Sequence, residues 1–336
     1  MNNSSGRYKR AFRWFLAFVC VGYIVWFFLK NTQELKLVSG LNPVSLIGIG
    51  VFSFLGHAIF SVRFQIILKK YSDKRVPFFH WFRIVILGRF LSLLAPQAGN
   101  IYRSVALKKD YGVSYTKYAS TYFSFVWMDM CVNLIIAEAV IILINPGLMI
   151  GRLRAVYLIA VILFMIIVVP ILVKTLLGLI NFEDNRLSWL HGKLSEMLSV
   201  SVNSLRDGAF MLKILLTGLV AFTDTIAIFY FCFRALDMPI DIPALALFFV
   251  ILRLSTSVTI TPGNLGVREL AYGIISANMQ FSMAEGILIS LIIRVVGSAV
   301  TIFFGAVFGG LGLLRGRSDY LSGREQSDTA MSSNQI

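Results

Sequence analysis

Acidic side chains are scarce in this sequence: 17 Asp and Glu stand against 31 Lys and Arg in 336 residues, a formal net charge of +14. Histidine is scarcer still, at positions 57, 80 and 191, and none has a Ser, Cys or carboxylate at the spacing of a nucleophile and its base. The three cysteines, Cys20, Cys131 and Cys232, lie inside apolar runs without CxxC spacing. They read as small buried hydrophobes rather than as a disulfide framework or a zinc site. There is no P-loop, no dinucleotide fingerprint and no metal-ligand spacing. No cofactor is therefore expected, and anything the protein moves travels down a gradient, with a coupled ion or with a partner.

What is abundant is apolar surface. Hydrophobic residues make up 57% of the chain and charged ones 14%, with 28 Phe, which places the protein in a bilayer. A nucleic-acid partner is not expected, because the basic residues do not gather in a soluble domain. They fall in short loops between apolar runs, as orientation signals and contacts for anionic lipid. The first run follows Arg7, Lys9, Arg10 and Arg13 and is long for a signal peptide, with no A-x-A site, so it reads as an uncleaved span. Trp14, Trp26 and Trp81 near span ends fit an interface belt.

A crossing needs about twenty apolar residues. Full spans are expected over 12–30, 43–68, 118–144, 155–179, 210–235 and 283–313. Two further apolar stretches, 79–95 and 243–261, each run into a break: "APQAGNIYRS" at 95–104 and "TPGNLGVREL" at 261–270. The breaks share one grammar, with Pro96 for Pro262, Gly99-Asn100 for Gly263-Asn264 and Arg103 for Arg268; Gly266 adds a second glycine to the later tip. Turning back at Pro96 keeps Arg103, Lys108, Lys109 and Lys117 on the side of Lys69, Lys70, Lys74 and Arg75, as the Lys/Arg bias demands. Residues 79–110 thus read as a re-entrant hairpin from the cytoplasm. Residues 243–279, three spans later, read as one from the opposite face, or as a kinked span. Both termini are then cytoplasmic, and only Lys30, Lys36, Arg152, Arg154 and Arg234 fall outside. The expected architecture is an all-α polytopic membrane protein with six full spans and two opposed hairpins, eight apolar segments in an inverted repeat. It forms one transmembrane domain over 1–313, followed by a polar tail over 314–336.

Interrupted segments of this kind point to a transporter's substrate site. Arg89 and Arg253 lie roughly 15 Å along their helices at about 1.5 Å per residue, and Asp129, Asp224 and Arg294 fall near the middle of theirs. Each charge at that depth costs about 2.5–3.5 kcal/mol on the insertion scale. These five require opposite-charge pairing, a water-filled cavity, or both. A broken helix also exposes N–H groups that favour anions, and Arg103 and Arg268 stand in the first turns after the breaks. Glu269 is expected to face Arg253 or Arg294. The candidate substrate-binding set is therefore Arg103, Arg268, Glu269, Arg253, Arg294, Arg89, Asp129 and Asp224. Its bland rival is a salt-bridge clamp that holds the hairpins. Arg63 and Arg83 read as snorkelling to the interface, and His57 as a hydrogen-bonded structural histidine.

"LRLSTSVTITPGNLGVRELAYG", followed by the arginine of "LIIRVVGS", resembles the flippase-like family represented by the transmembrane domain of bacterial lysylphosphatidylglycerol synthetases. Pro262, Gly263, Leu265, Gly266, Glu269 and Arg294 match its second-repeat motif. Asn100 stands where members often carry an acidic residue. The resemblance covers about residues 10–315 and implies handling of a lipid or polyprenyl-linked head group at the plasma membrane. The soluble aminoacyl-transferase domain has no counterpart, so lipid aminoacylation is not carried over. Flipping of an anionic phospholipid or polyprenyl-phosphate lipid is the leading expectation. A membrane glycosyltransferase using Asp237 and Asp241, and an assembly factor serving envelope-biosynthesis enzymes, remain its rivals. The oligomeric state is open.

Overall fold

The computed structural model describes residues 19, 22, 23, 26, 40–72, 75–95, 97–150, 152–179, 207–239, 242–257, 261, 264–279 and 281–309. The fold they form is predominantly helical. Pro96, Pro262, Gly263, Asp241, the tail over 314–336 and most of the span expected over 12–30 lie outside the described residues; positions 19, 22, 23 and 26 of that span are helical.

Among the described residues, nine helices follow residue 40: α1 (Pro43–Tyr71), α2 (Phe78–Leu94), α3 (Ala98–Tyr111), α4 (Tyr115–Ile144), α5 (Ala155–Leu179), α6 (Gly208–Ala235), α7 (Ile242–Ser257), α8 (Val267–Asn278) and α9 (Met283–Val307). Five contain a stretch long and apolar enough to cross a membrane, on α1, α4, α5, α6 and α9. An all-helical chain is not quite what forms. After α4 the Asn145-Pro146-Gly147 turn leads into two short strands, β1 (Met149–Ile150) and β2 (Leu153–Arg154), paired antiparallel. Proline and glycine there stop the helix and reverse the chain.

The long helices begin where the sequence supplies caps, satisfying N–H groups that have no partner within the helix. Asn42 accepts from the Val44 N–H at 2.9 Å with Pro43 at the first turn, Ser114 from Lys117 at 3.2 Å, and Asp207 from Phe210 at 3.0 Å. Ser282 and Glu285 form a reciprocal capping box at the start of α9.

The antiparallel pair α1–α6 is the most extensive helix contact. Its register runs from Gly48 against Phe231, through Gly56 against Asp224 and Arg63 against Gly218, to Lys70 against Asp207. At the α1 C-terminal end, His80 of α2 stands 3.2 Å from Asp110 of α3, so this pair folds back on itself. Its inner contact is glycine on glycine: a Cβ on Gly99 would lie 2.0 Å from the carbonyl oxygen of Gly88. Only hydrogen fits there. At the other end, Phe233 of α6 stacks edge-on against Phe248 of α7 and Phe281 just before α9. Phe248 also reaches Tyr272 of α8, so α7 and α8 fold back from that end.

The neighbours repeat. Exchanging α1 with α6, α2 with α7, α3 with α8 and α4 with α9 carries the packed pairs among these eight helices onto packed pairs, α1–α6 onto itself, while α5, packed on α4, has no counterpart: α2 touches α9 as α7 touches α4, and α1 touches α9 as α6 touches α4.

Candidate functional site

Among α1, α2, α3, α4, α6, α7, α8 and α9 lies a cavity of about 830 Å³. Five guanidiniums line it, from Arg63, Arg89, Arg253, Arg268 and Arg294, against two carboxylates, Asp129 and Asp224. Charges in such a space survive only when paired or solvated, so their partners decide what the cavity can do.

Asp129 on α4 is the first organising acid. Its Oδ1 accepts from the Arg63 guanidinium of α1 and, at 2.8 Å, from Asn133 one turn along α4. Oδ2 lies 3.1 Å from Arg253 Nη1 of α7. One buried carboxylate thereby ties three helices. Glu269 on α8 is the second. Its Oε1 accepts from Arg294 Nε and Nη2, both at 2.8 Å, and its Oε2 accepts from the Gly266 N–H at 2.8 Å. Arg294 also donates to the Asn264 carbonyl at 3.2 Å. Gly266 takes φ 79°, a conformation that disfavours any side chain, and this turn aims its N–H at the acid.

Three of the candidate arginines pair with no carboxylate among the described residues. Arg89 lies with its guanidinium carbon 4.7 Å from the Phe60 ring centre and makes no hydrogen bond among those residues. Arg268 donates to Ser290 Oγ at 3.0 Å and to the Ser290 carbonyl at 2.8 Å, with Tyr272 beneath it. Arg103 turns back on its own tip, donating to the Gly99 carbonyl at 3.1 Å and to Asn100 Oδ1 at 2.8 Å. Phe60 and Tyr122 flank it at 5.7 and 5.8 Å.

The structure brings Arg89, Asp129, Asp224, Arg253, Arg268 and Arg294 around one cavity, with Asn100 at its edge. Four expectations change. Arg103 is buried beside the cavity rather than lining it, because Asn100 and the Gly99 carbonyl hold it. Glu269 pairs with Arg294 and not with Arg253, which belongs to Asp129. Of the N–H groups at the start of α8, expected to be open to an anion, that of Gly266 is taken by the carboxylate of Glu269. Arg63 does not snorkel: it is 3% exposed and bound to Asp129. The missed signal was its spacing from Gly56 and Phe60, which puts all three on one face of α1.

Gly99 makes the tip contact described above, and Asn264, at φ 51°, is buried under Arg294. His57 is hydrogen-bonded, its Nε2 standing 3.1 Å from Thr301 Oγ1 on the cavity wall. Asp237 sits in the turn after α6 and does not line the cavity. Among the described residues, no group of three His, Cys, Asp or Glu is placed to hold a metal ion.

Residues 14–305 match the family model described as the lysylphosphatidylglycerol synthase TM region. No curated protein and no solved structure matches the chain.

Proposed function

The chain belongs to the lysylphosphatidylglycerol synthase TM region family and is a multi-pass membrane protein with a lipid-related role; from that premise we propose that it moves a lipid with an anionic phosphate head group between leaflets. The observation that carries this reading is the charge imbalance of the cavity. Asp129 serves two of its arginines and Glu269 a third, which leaves Arg89 and Arg268 without a carboxylate among the described residues. In a low-dielectric interior such cations seek an anion, and guanidinium forks match phosphate oxygens. A cavity of 830 Å³ holds a polar head group. The acyl or polyprenyl chains stay in the bilayer.

In this reading α2–α3 and α7–α8 are re-entrant hairpins that enter from opposite leaflets, and the repeated packing reflects an inverted repeat. The opposite-end contacts of His80 and Phe248 support it, as does the antiparallel course of α1 and α6. Non-helical backbone at membrane depth is tolerated where it lines a cavity, as both breaks would here. Arg89 comes from the first hairpin and Arg268 from the second, so each leaflet's approach presents one cation. The cytoplasmic membrane, with both termini inside, is the setting that the Lys/Arg distribution favours.

The test is leaflet-to-leaflet movement of labelled anionic phospholipid and polyprenyl-phosphate lipid in proteoliposomes, comparing the native chain with Arg89→Gln. Arg89 is the cleaner target, because Arg268 also holds Ser290. A lost charge-assisted contact of about 1.5–3 kcal/mol lowers head-group affinity roughly 10- to 100-fold, and movement falls with it. Native-rate movement by folded Arg89→Gln protein would refute the assignment.

A further inference from the structure

The arginine-rich part of the cavity leaves one acid unused. Asp224, on α6, is 7% exposed and lines the cavity, yet its Oδ1 has no hydrogen-bond partner among the described residues. Its Oδ2 packs against α1 so closely that a Cβ on Gly56 would lie 2.9 Å away. The next residue, His57, is 5% exposed and also lines the cavity. Its Nε2 meets Thr301, and its Nδ1 is without a partner among the described residues. These are two buried titratable side chains with unsatisfied atoms on one cavity, Asp224 packed against the residue that precedes His57, and head-group binding explains neither.

The charged groups on the elements packed against Asp224 are Arg63 and His57 on α1, Asp129 on α4, Arg253 on α7 and Arg294 on α9, with Arg89 of α2 across the cavity. Asp129 already holds Arg63 and Arg253, and Glu269 holds Arg294. None of these cations forms an ion pair with Asp224. Arg63 meets α6 at Gly218, six residues and roughly 9 Å along the helix from Asp224. Small polar residues share the cavity lining with the acid: Ser53, Thr225, Ser298 and Thr301. Thr225 donates its hydroxyl to the Ala221 carbonyl at 2.9 Å, so it offers the acid no proton.

A carboxylate buried this way needs a cation. A metal ion such as Na⁺ needs several oxygens around it, and one carboxylate with scattered hydroxyls beside an imidazole makes a poor cage. A proton needs one oxygen. The geometry points to Asp224, with His57 beside it, as a proton-binding site that couples lipid movement to a proton gradient. Asp224 Oδ1 takes the proton, and His57 Nδ1 is a second unpartnered atom on the same cavity lining able to accept or return it. The cavity then holds an anion at its arginine end and a proton at its acid end. The same opening and closing exposes both, so one proton can travel with one head group. This rests on the lipid-translocation reading of the preceding subsection.

Two measurements test it together. The first is the pH-difference infrared spectrum of the full chain in nanodiscs without added ligand. A protonated-carboxyl stretch is expected that titrates with pH and is absent in Asp224→Asn, which preserves the side chain's shape. The second is lipid movement in proteoliposomes with and without an imposed pH difference. Native protein should shift the leaflet distribution by up to about tenfold per pH unit for one proton per lipid, and Asp224→Asn should give the same distribution with and without the gradient. His57→Gln should move the midpoint of the infrared band while the band persists. Absence of the band from native protein, or a full gradient response in Asp224→Asn, overturns the proposal. Lipid movement that ignores the gradient in native protein overturns the coupling alone and leaves translocation standing. A normal band with no movement of any lipid overturns translocation, and the coupling with it, while leaving the proton site in place.

Discussion

Replacing Glu269 by Gln removes one charge at the point where the second broken helix is anchored. The carboxylate is 2% exposed and makes three contacts of 2.8 Å, two to Arg294 and one to the Gly266 N–H. Glutamine keeps an acceptor for Gly266 but presents a neutral group to a guanidinium. Removing one partner from a buried pair costs about 3–5 kcal/mol. The Arg294 side chain is 22% exposed and lines the cavity, so water offsets part of this, leaving about 2–3 kcal/mol. The assay is denaturing-detergent titration in mixed micelles, following helicity, for Glu269→Gln, Arg294→Met and the double variant. The double variant should recover most of the loss, because an apolar replacement of both partners leaves no stranded charge. A single variant within about 0.5 kcal/mol of native, at the scale of an ordinary surface change, would refute the clamp. So would a double variant as unstable as the sum of the singles.

The same titration applied to Gly99→Ala should show a loss of about 1–3 kcal/mol or more, because the new methyl meets the Gly88 backbone rather than a movable side chain. Asp129→Asn strands two guanidiniums at once and should lose about 3–5 kcal/mol, while inorganic phosphate, filling the cavity, should stabilise this variant more than the native chain. At the rim, the Lys70 ammonium bound to Asp207, together with the Phe210 N–H, holds the Asp207 carboxyl below its usual range. That contribution is complete above pH about 4 and fades as pH falls through the depressed folded value. Asp207→Asn should therefore lose part of the acid-side dependence measured for native protein.

The spans were legible because apolar length is a local signal. The structure adds the caps that fix their starts, Asn42, Ser114, Asp207 and Ser282 with Glu285, which apolar length alone did not select. The charged candidates were legible for a different reason: at membrane depth a charge is costly wherever it points, so depth alone selects it. Partnership was not legible. Arg63 sits near the Lys69-Lys70 end of its helix, and only the approach of α4 shows that its guanidinium turns inward to Asp129. Glu269 sits next to Arg268 in sequence, yet adjacent residues on a helix point about 100° apart. Its partner comes from α9, and its second oxygen caps the helix that carries it. The closure of Arg103 onto Asn100 was hidden for the same reason, since it depends on which rotamer the tip permits.

The cavity is positive because its arginines outnumber its acids. Helix α4 packs on α7 and α9 on α2, and the long helix carries Asp129 in the first pairing and Arg294 in the second. In the first pairing an acid on the long helix receives the arginine of the neighbouring broken pair. In the second the long helix offers an arginine instead, and Arg89 of α2 is left to the Phe60 ring. Glu269 restores neutrality to Arg294 from α8, but nothing among the described residues restores it to Arg89. A structure-only role would favour an acid for every arginine. Arg294→Asp tests this directly: with an acid in place of an arginine on the cavity lining, the protein should bind phosphate-bearing lipid less well. Undiminished binding by a folded Arg294→Asp variant would mean that the surplus of positive charge does not make the site.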